Sequence, residues 1–391
     1  MVGDGITWLG LDDTDSLDGG CTTEMFYQLL NRIDIEYEDP RLVRLWPFAA
    51  NRTRGNAAVA VKLLTTFEHA QDLLEKQWNW ICLRSESDAN PALLLVEEQL
   101  DESIYWNAVR MNVEPSEIKI STKHQIWSKG DFGIVGAAAA IAWKGSHDHT
   151  WENTVYRLEE NIGKTRSIDE ALLAEMDKMF PDTFLNRDPR KKKGLISPRS
   201  PCPVLLGIRG ESAEVVEDAY DWLREKGSIE ESSGNMIWRT NQACDDHLSS
   251  IISATVESFP IVRKRGHCVL DTSEGKVVAF AEGGDVNKML QKLIPGDVIS
   301  FMGLKFEGAI HLEKMRLLKP QLRSKKRPLC ECGKRLKSAG KGQKLRCPGC
   351  GMLSEKEWIG VSIEPSPWLQ PPPDRRRHLA SPLERKTPAN E

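Results

Sequence analysis

The stretch "WLGLDDTDSLDGGCTTEM", residues 8–25, decides the fold of the first part of the chain. An apolar strand over residues 6–11 is followed directly by a segment with four aspartates, two adjacent glycines and three threonines. A stable core does not need this composition, because burying unpaired charges is costly. The pattern predicts a strand, a polar loop that holds a metal ion or a phosphate group, and a helix from Thr22 to about Arg32.

The loop carries the main candidate site. Asp12, Asp13 and Asp15 follow the strand, where an α/β sheet usually presents its ligands. Two or three carboxylates on one turn can hold Mg²⁺, which would bridge the phosphates of a nucleotide. The alternative is that the aspartates form turns and cap the helix. Four aspartates beside glycines and hydroxyls favour the binding site, although the sequence has no Walker-type glycine loop.

Three further stretches carry candidate residues with weaker patterns. Arg52 and Arg54 in "NRTRGNAAV" (51–59) precede a strand and suit phosphate binding, but an ordinary solvated basic loop is equally compatible. "TNQACDDHL" (240–248) suits a polar or cationic ligand or a capped helix start. Residues 150–163 predict a helix with apolar residues on one face. Tyr156 and Arg157 flank that face, as the rim of a site or as plain surface.

Cys330, Cys332, Cys347 and Cys350 form two close pairs that are separated by 14 residues. Four thiolates at such spacing predict a tetrahedral zinc ribbon, and another thiolate-bound metal stays open. From Lys314 to Arg346 there are thirteen Lys/Arg residues and one acid. Basic charge around a ribbon favours a nucleic-acid surface over a solvated face.

Length and composition bound the architecture. A chain of 391 residues predicts two to four domains, and a net charge of -4 says nothing about partners. We find no apolar run of membrane-spanning length and expect no signal peptide. Nine cysteines, four of them clustered, are typical of a reducing cytoplasm with one metal site. Alternating helices and strands predict an α+β or α/β body, and the short strands that follow residue 258 suit a five-stranded OB barrel.

The assembled stretches resemble the TiaS family of archaeal isoleucine-tRNA 2-agmatinylcytidine synthetases. The resemblance covers roughly residues 6–352, and its motifs occur in the family's order. They are "GLDDTDSLDGGCTT", "PRLVRLWPFAANRTRGN", "TWENTVYRLEENIG", "SPRSPCPVLLGIRGES" and "TNQACDDHL", followed by the barrel and the ribbon.

The resemblance implies a multidomain α+β fold. We expect a kinase-like α/β domain for ATP and cytidine at 1–118 and a ferredoxin-like domain at 119–257. An RNA-binding OB-fold at 258–320 and a zinc ribbon at 321–360 follow. The remaining residues, 361–391, are rich in proline and charge and are predicted to be disordered.

The resemblance also implies a reaction. ATP activates the C2 oxygen of the wobble cytidine in the isoleucine tRNA with a CAU anticodon, and the primary amine of agmatine then displaces phosphate. In the family, ATP is also cleaved to AMP. The product, agmatidine, pairs with A, so that the tRNA reads AUA codons. ATP, Mg²⁺ and structural Zn²⁺ are the implied cofactors, and no obligate protein partner is implied.

Residue roles carry over position by position. Asp12, Asp13 and Asp15 match the family's acidic motif, with Asp12 and Asp13 as Mg²⁺ ligands, and Thr22 matches its autophosphorylated threonine. Arg52 and Arg54 fall in the basic motif and would neutralise charge during transfer. Agmatine is placed near Tyr156, Arg157, Asp245 and Asp246, because a guanidinium needs carboxylates.

Two positions depart from the family pattern, and two other functions compete. One residue instead of two separates Cys330 from Cys332, and Ala243–Cys244 replaces an expected glycine-containing pair.

A non-catalytic RNA-binding protein would need only the barrel and the ribbon, so the acidic loop disfavours it. A nucleic-acid kinase or ligase with another substrate would not depend on agmatine.

Overall fold

A computed structural model describes residues 5–50, 52–53, 55–166, 168–227 and 229–385. The chain divides into two compact units. The first contains Met1–Leu248 and Pro373–Glu391, and the second contains Ser249–Pro372. In the part of the chain that the structure describes, every helix is too short or too polar to cross a membrane.

The first unit alternates strands and helices. Its elements are β1 (Thr7–Asp12), α1 (Thr22–Ile33), β2 (Tyr37–Arg44), β3 (Ala57–Leu63), α2 (Phe67–Arg84), β4 (Ala92–Val96), α3 (Ser103–Arg110), β5 (His124–Ser128), α4 (Gly133–Ala142), β6 (Thr150–Arg157), α5 (Glu170–Met179), β7 (Thr183–Phe184), β8 (Arg187–Asp188), β9 (Lys193–Gly194), β10 (Val204–Gly210), α6 (Ala213–Glu225) and β11 (Ser232–Thr240). Short 3-10 helices lie at Pro115–Glu117, Glu159–Asn161 and Pro373–Arg375.

Nine of these strands form one mixed sheet in the order β5-β4-β1-β3-β2-β11-β6-β10-β7. Strands β2 and β11 pair in parallel, with Arg41 opposite Arg239, and the other neighbours are antiparallel. The sheet continues across the predicted boundary near residue 118. Strand β5 and helix α4 lie beyond that boundary, yet they pack on β4 and β1.

The end of β1 is fixed by packing on both faces of the sheet. Leu9 and Leu11 belong to a core with α1 and α2, whereas Trp8 belongs to a second core with α3 and α4. This alternation follows the two-residue period of a strand. Helix α4 approaches closely, as its small residues predict, because a Cβ at Gly10 would lie 2.5 Å from the carbonyl oxygen of Ala137. The sheet therefore holds Asp12 rigidly at the strand end.

The helix predicted over residues 150–163 is wrong. Strand β6 occupies Thr150–Arg157 and is hydrogen-bonded to β11 on one edge and to β10 on the other. Consecutive side chains from Glu152 to Arg157 are buried, as expected for a central strand with both faces covered. The apolar spacing that suggested a helix is overridden by this tertiary burial and by the β-branched residues of the segment.

The second unit is built from short strands. Its elements are β12 (Ile252–Thr255), β13 (Ile261–Val262), β14 (Cys268–Thr272), β15 (Gly275–Ala279), a 3-10 helix (Ala281–Gly283), α7 (Asp285–Leu290), β16 (Val298–Phe306), β17 (Ala309–Lys319), β18 (Ser324–Lys326), β19 (Lys337–Ser338), β20 (Leu345–Arg346), β21 (Leu353–Ser354) and β22 (Ile359–Val361). Six strands form a sheet in the order β12-β16-β17-β15-β14-β13. A bridge between Val256 and Thr272 joins its two sides, so the strands close around one core.

The disorder predicted for the tail is wrong for residues 373–385, here called the C-terminal segment. The carbonyl oxygens of His378 and Leu379 accept hydrogen bonds from the amides of Ala243 (2.8 Å) and Asp245 (2.9 Å). Arg385 is buried and paired with Asp148 at 2.6 Å. Composition suggested a solvated tail, but specific backbone and ion-pair partners in the first unit order it.

Candidate active site

The acidic loop folds back onto the start of α1. The hydroxyl of Thr22 donates to Asp15 Oδ1 at 3.4 Å and accepts from the hydroxyl of Thr14 at 3.2 Å. The N-cap residue of α1 is Cys21, and its side chain makes no capping hydrogen bond. The aspartates therefore do not cap this helix, which removes the capping part of the structural alternative and leaves the turn-forming part.

Burial and mutual repulsion act on the carboxylates of the loop. Burial raises the pKa of Asp12 well above its usual range, and the neighbouring Asp13 raises it further. Burial and then the charge of Asp15 raise the pKa of Asp13 to about 6. A divalent cation would relieve this repulsion, and Mg²⁺ needs only one or two protein carboxylates beside substrate phosphates. The donor set thus fits Mg²⁺.

A cavity of about 420 Å³ opens beside the loop, and we call it the larger cavity. It brings Asp15 and Thr22 together with a set of arginines that are distant in sequence. The lining comprises Asp15, Cys21, Thr22, Thr23, Leu42, Arg44, Thr53, Gly55, Ala57, Glu152, Thr154, Leu185, Leu195, Ile196, Ser197, Pro198, Arg199, Ser200, Cys202, Val204, Gly207, Arg209, Pro373, Asp374, Arg376, Arg377 and His378. Its volume suits a small-molecule ligand.

The lining of a smaller cavity of about 70 Å³ includes Asp12, Asp13 and Arg52. Arg52 is exposed, and its Nη1 donates to the carbonyl oxygen of Ala49 at 2.8 Å. Thr53 lines both cavities, and its hydroxyl donates to Asp15 Oδ1 at 3.0 Å. The predicted catalytic residues are thus divided between two adjoining spaces. The predicted Arg54 lies outside the described residues.

Arg44, at the end of β2, is a cavity residue that the sequence analysis missed. Its backbone amide donates to Asn241 Oδ1 at 2.8 Å, which ties β2 to the residues that follow β11. Its Nη1 donates to the carbonyl oxygen of Gly55 at 3.2 Å. Its Nε is buried and has no hydrogen-bond partner among the described residues. The sequence signal that could have identified Arg44 is its place in "PRLVRLWPF", which is part of a stretch that resembles the family.

The larger cavity also contains a buried carboxylate that sequence reasoning did not select. Glu152 lies 3.4 Å from Arg209, whose Nε also donates to Gln242 at 3.2 Å. Glu152 is nearly fully buried on β6, in the segment for which the sequence predicts a helix. Only the strand conformation of this segment shows that its side chain lines the cavity.

The residues predicted to hold agmatine lie apart from both cavities. Tyr156 is fully buried and stacks on Tyr27, with ring centroids 5.2 Å apart. Arg157 forms an ion pair with Glu230 at 2.6 Å. Each side chain is therefore engaged within the first unit, and neither lines the larger or the smaller cavity among the described residues.

The two aspartates of the same prediction also have internal partners. Asp245 Oδ1 accepts a hydrogen bond from the amide of Ser381 at 2.8 Å. Asp246 accepts one from the hydroxyl of Tyr105, and burial raises the pKa of its carboxyl to about 7. Ala243, at the expected glycine pair, has a positive φ of 57°, which explains why glycine would suit that turn.

The four cysteines near the C-terminus come together as predicted. Their sulfurs lie within 4.8 Å of one another, with 3.4 Å between the Sγ atoms of Cys330 and Cys350 and between those of Cys332 and Cys347. Zn–S bonds of about 2.3 Å fit a cluster of this size. The short first pair is therefore compatible with zinc.

Family models match most of the chain. The model described as the TiaS TCKD domain matches residues 8–132, and the TiaS FLD domain matches residues 131–247. The TiaS C-terminal zinc ribbon domain matches residues 327–364.

Full-length relatives and solved structures agree with these matches. The isoleucine-tRNA 2-agmatinylcytidine synthetase TiaS of Methanosarcina mazei is 32% identical, with 97% of each chain covered. The protein of the same name from Pyrococcus horikoshii is 33% identical, with 96% of each chain covered. A crystal structure of TiaS in complex with isoleucine tRNA and ATP is 29% identical, with a TM-score of 0.78 and 99% of each chain covered. A complex of TiaS with isoleucine tRNA, AMPCPP and agmatine is 28% identical, with a TM-score of 0.77 and 99% of each chain covered.

Proposed function

Because the chain belongs to the TiaS family, we propose that it joins agmatine to C2 of the wobble cytidine of the isoleucine tRNA with a CAU anticodon, at the expense of ATP. The observation that carries the proposal is the likeness over nearly the whole chain to TiaS, of which two crystal structures contain isoleucine tRNA with ATP or AMPCPP. The mixed α/β multidomain fold and the cysteine cluster belong to the same likeness.

The proposed chemistry has two steps. The C2 oxygen of cytidine takes a phosphoryl group from ATP. The neutral amine of agmatine then attacks C2, the C2–O bond breaks, phosphate leaves, and the amine loses a proton. Asp12 and Asp13 would hold Mg²⁺, which supplies charge neutralisation on the phosphates.

The side chains of this enzyme would position and stabilise the phosphoryl groups. The Thr22 hydroxyl, held by Asp15 at the start of α1, lies where the helix dipole favours an anion. Arg52, at the smaller cavity, and Arg54 are proposed to neutralise charge during transfer.

Agmatine needs a carboxylate for its guanidinium group. Asp245 and Asp246, with Tyr156 and Arg157, are the residues proposed from the family motifs. Glu152 is a further candidate and the one that we favour, because it lines the larger cavity beside Thr154, whereas the four motif residues do not line it. The KM for agmatine, measured separately for variants of Glu152 and of Asp245, distinguishes the two proposed positions of agmatine.

RNA binding is proposed for the second unit, whose closed strands suit an OB-fold. A row of rings lies on this unit: His267 and Phe280 are 5.4 Å apart between centroids, and Phe280 and His311 are 5.1 Å apart. Phe280 is 41% exposed. An exposed ring of this kind suits a stacked base, and the basic residues of the same unit suit phosphate contacts. We place the protein in the cytoplasm, where tRNA is decoded and where its free thiols stay reduced.

Nucleoside mass analysis tests the function. The purified protein is incubated with ATP, Mg²⁺, agmatine and an unmodified transcript of the tRNA, which is then digested. We expect cytidine that carries one agmatine, and its absence when agmatine or ATP is omitted. A tRNA that binds but is never modified would instead support a non-catalytic RNA-binding protein.

A further inference from the structure

The C-terminal segment is anchored firmly in the first unit. Arg385 is buried and forms ion pairs with Asp148 at 2.6 Å and Glu211 at 2.8 Å, and it donates to the carbonyl oxygen of Ala243 at 2.8 Å. Leu379 is buried in the core formed by α3 and α4. The segment is therefore a fixed part of the first unit, although more than 120 residues of the second unit precede it in the chain.

This anchoring places two arginines and a histidine in the wall of the larger cavity. Arg376, Arg377 and His378 line it. Arg377 is also held over the ring of Phe48, at 4.5 Å from the centroid. Asp374, the acid of the segment that also lines the cavity, lies 2.6 Å from Lys191, so its charge is balanced locally.

The wall has more positive than negative groups. The described lining contains five arginines (Arg44, Arg199, Arg209, Arg376 and Arg377) and three acids (Asp15, Glu152 and Asp374). Glu152 and Asp374 each have a basic partner, at 3.4 Å and 2.6 Å respectively.

Two local observations agree with this charge excess. The Arg44 guanidinium lowers the pKa of His378 well below its usual range. The Nε of Arg44 is buried without a hydrogen-bond partner in the part of the chain that the structure describes. An anion in the cavity would satisfy this donor and offset the charge.

We propose that the C-terminal segment completes the nucleotide site, with Arg377 and His378 binding the polyphosphate of ATP in the larger cavity that the segment shares with the acidic loop. The proposal rests on the proposed function. Asp15 and Thr22 line the same cavity, so the phosphates that Arg377 and His378 bind would lie beside the residues proposed for phosphoryl transfer. The segment lies beyond the matched family models, which end at residue 364, so those models assign it no role.

Nucleotide binding to the full chain, without tRNA, tests the proposal. The variants are Arg377→Ala and the double variant Arg377→Ala/His378→Ala. Arg375→Ala is the matched control, because Arg375 is exposed and does not line the cavity. Calorimetry with a non-hydrolysable ATP analogue and with AMP gives the affinities, and thermal unfolding monitors the fold.

We expect Arg377→Ala to weaken binding of the ATP analogue about 10- to 100-fold, as for loss of one charge-assisted contact to phosphate. AMP affinity should change less than about threefold, and Arg375→Ala should bind like the parent. Unchanged affinity for the ATP analogue in the double variant overturns the proposal. Equal losses for the ATP analogue and AMP, together with a lower Tm, also overturn it, because they would reveal a structural role alone.

Two further measurements separate related explanations. If tRNA affinity falls while affinity for the ATP analogue is kept, Arg377 and His378 bind RNA phosphates and the proposal is wrong. If the parent protein makes no agmatine adduct although Arg377→Ala weakens binding of the ATP analogue, the proposed function is wrong. The proposal that the C-terminal segment binds the nucleotide is then still supported.

Discussion

Gly136 in α4 should be necessary for turnover, although it carries no side chain. A Cβ at this position would overlap the Asp12 carboxylate, with 2.5 Å to its Cγ and 3.1 Å to the Cβ of Ala58. Carbon atoms pack at about 3.5–4.0 Å, so Gly136→Ala requires the carboxylate to move by roughly 1 Å. Strand β1 and helix α4 are both packed rigidly, so the carboxylate moves instead of the backbone.

A displacement of this size at a reacting centre costs about 100-fold in rate. Overpacking costs about 1–3 kcal/mol of stability, and alanine in a helix restores about 1 kcal/mol over glycine, so the variant should stay folded. The assay is kcat for agmatine incorporation at saturating substrates. Ala140→Gly in the same helix is the control for stability, because it loses about 1 kcal/mol without touching Asp12.

A double-mutant cycle with Asp12→Ala shows whether the effect passes through this carboxylate. Once Asp12 is truncated, the added methyl group has room, so Gly136→Ala should cost nothing further. Near-parent activity of Gly136→Ala, or full additivity in the cycle, would refute the reasoning.

Four other predictions follow from the same geometry. Asp13→Ala should abolish turnover and leave tRNA affinity within about twofold in a filter-binding assay, since its proposed role is to hold Mg²⁺. Glu152→Gln should raise the KM for agmatine about tenfold while Asp245→Asn leaves it unchanged, and the reverse result would restore the motif-based placement. Cys347→Ser, or chelation of zinc, should weaken tRNA binding and reduce its salt dependence, because the ribbon's apolar core is small; unchanged binding would exclude the ribbon from recognition. The raised carboxyl pKa of Asp246, about 7, makes its neutral form the favoured one in the fold. The stabilising contribution of the protonated Asp246 carboxyl is complete below about pH 4 and is lost as pH rises through 7. The free energy of unfolding relative to that of Asp246→Asn should therefore fall by about 1 kcal/mol from pH 6 to 8. A difference in unfolding free energy that does not change with pH would contradict the raised pKa.

Local patterns were reliable where local physics dominates. The strand and helix around the acidic loop and the short strands of the second unit have the predicted type, because their apolar periods match the surfaces they bury. The segment 150–163 failed for the opposite reason. It is a central strand whose burial comes from two neighbours distant in sequence, and a helical spacing arose there by coincidence.

The sequence by itself determined the chemistry that is available. It supplied the carboxylates and hydroxyls of one loop and the thiolates of one ribbon, because each set is contiguous or nearly so in the chain. Only the tertiary structure decided which groups share a space. Arg44, Glu152 and Arg377 meet at the larger cavity because β2, β6 and the C-terminal segment are brought together by sheet pairing and by the buried Arg385. No local pattern encodes such contacts, since their energy comes from residues that are far apart along the chain.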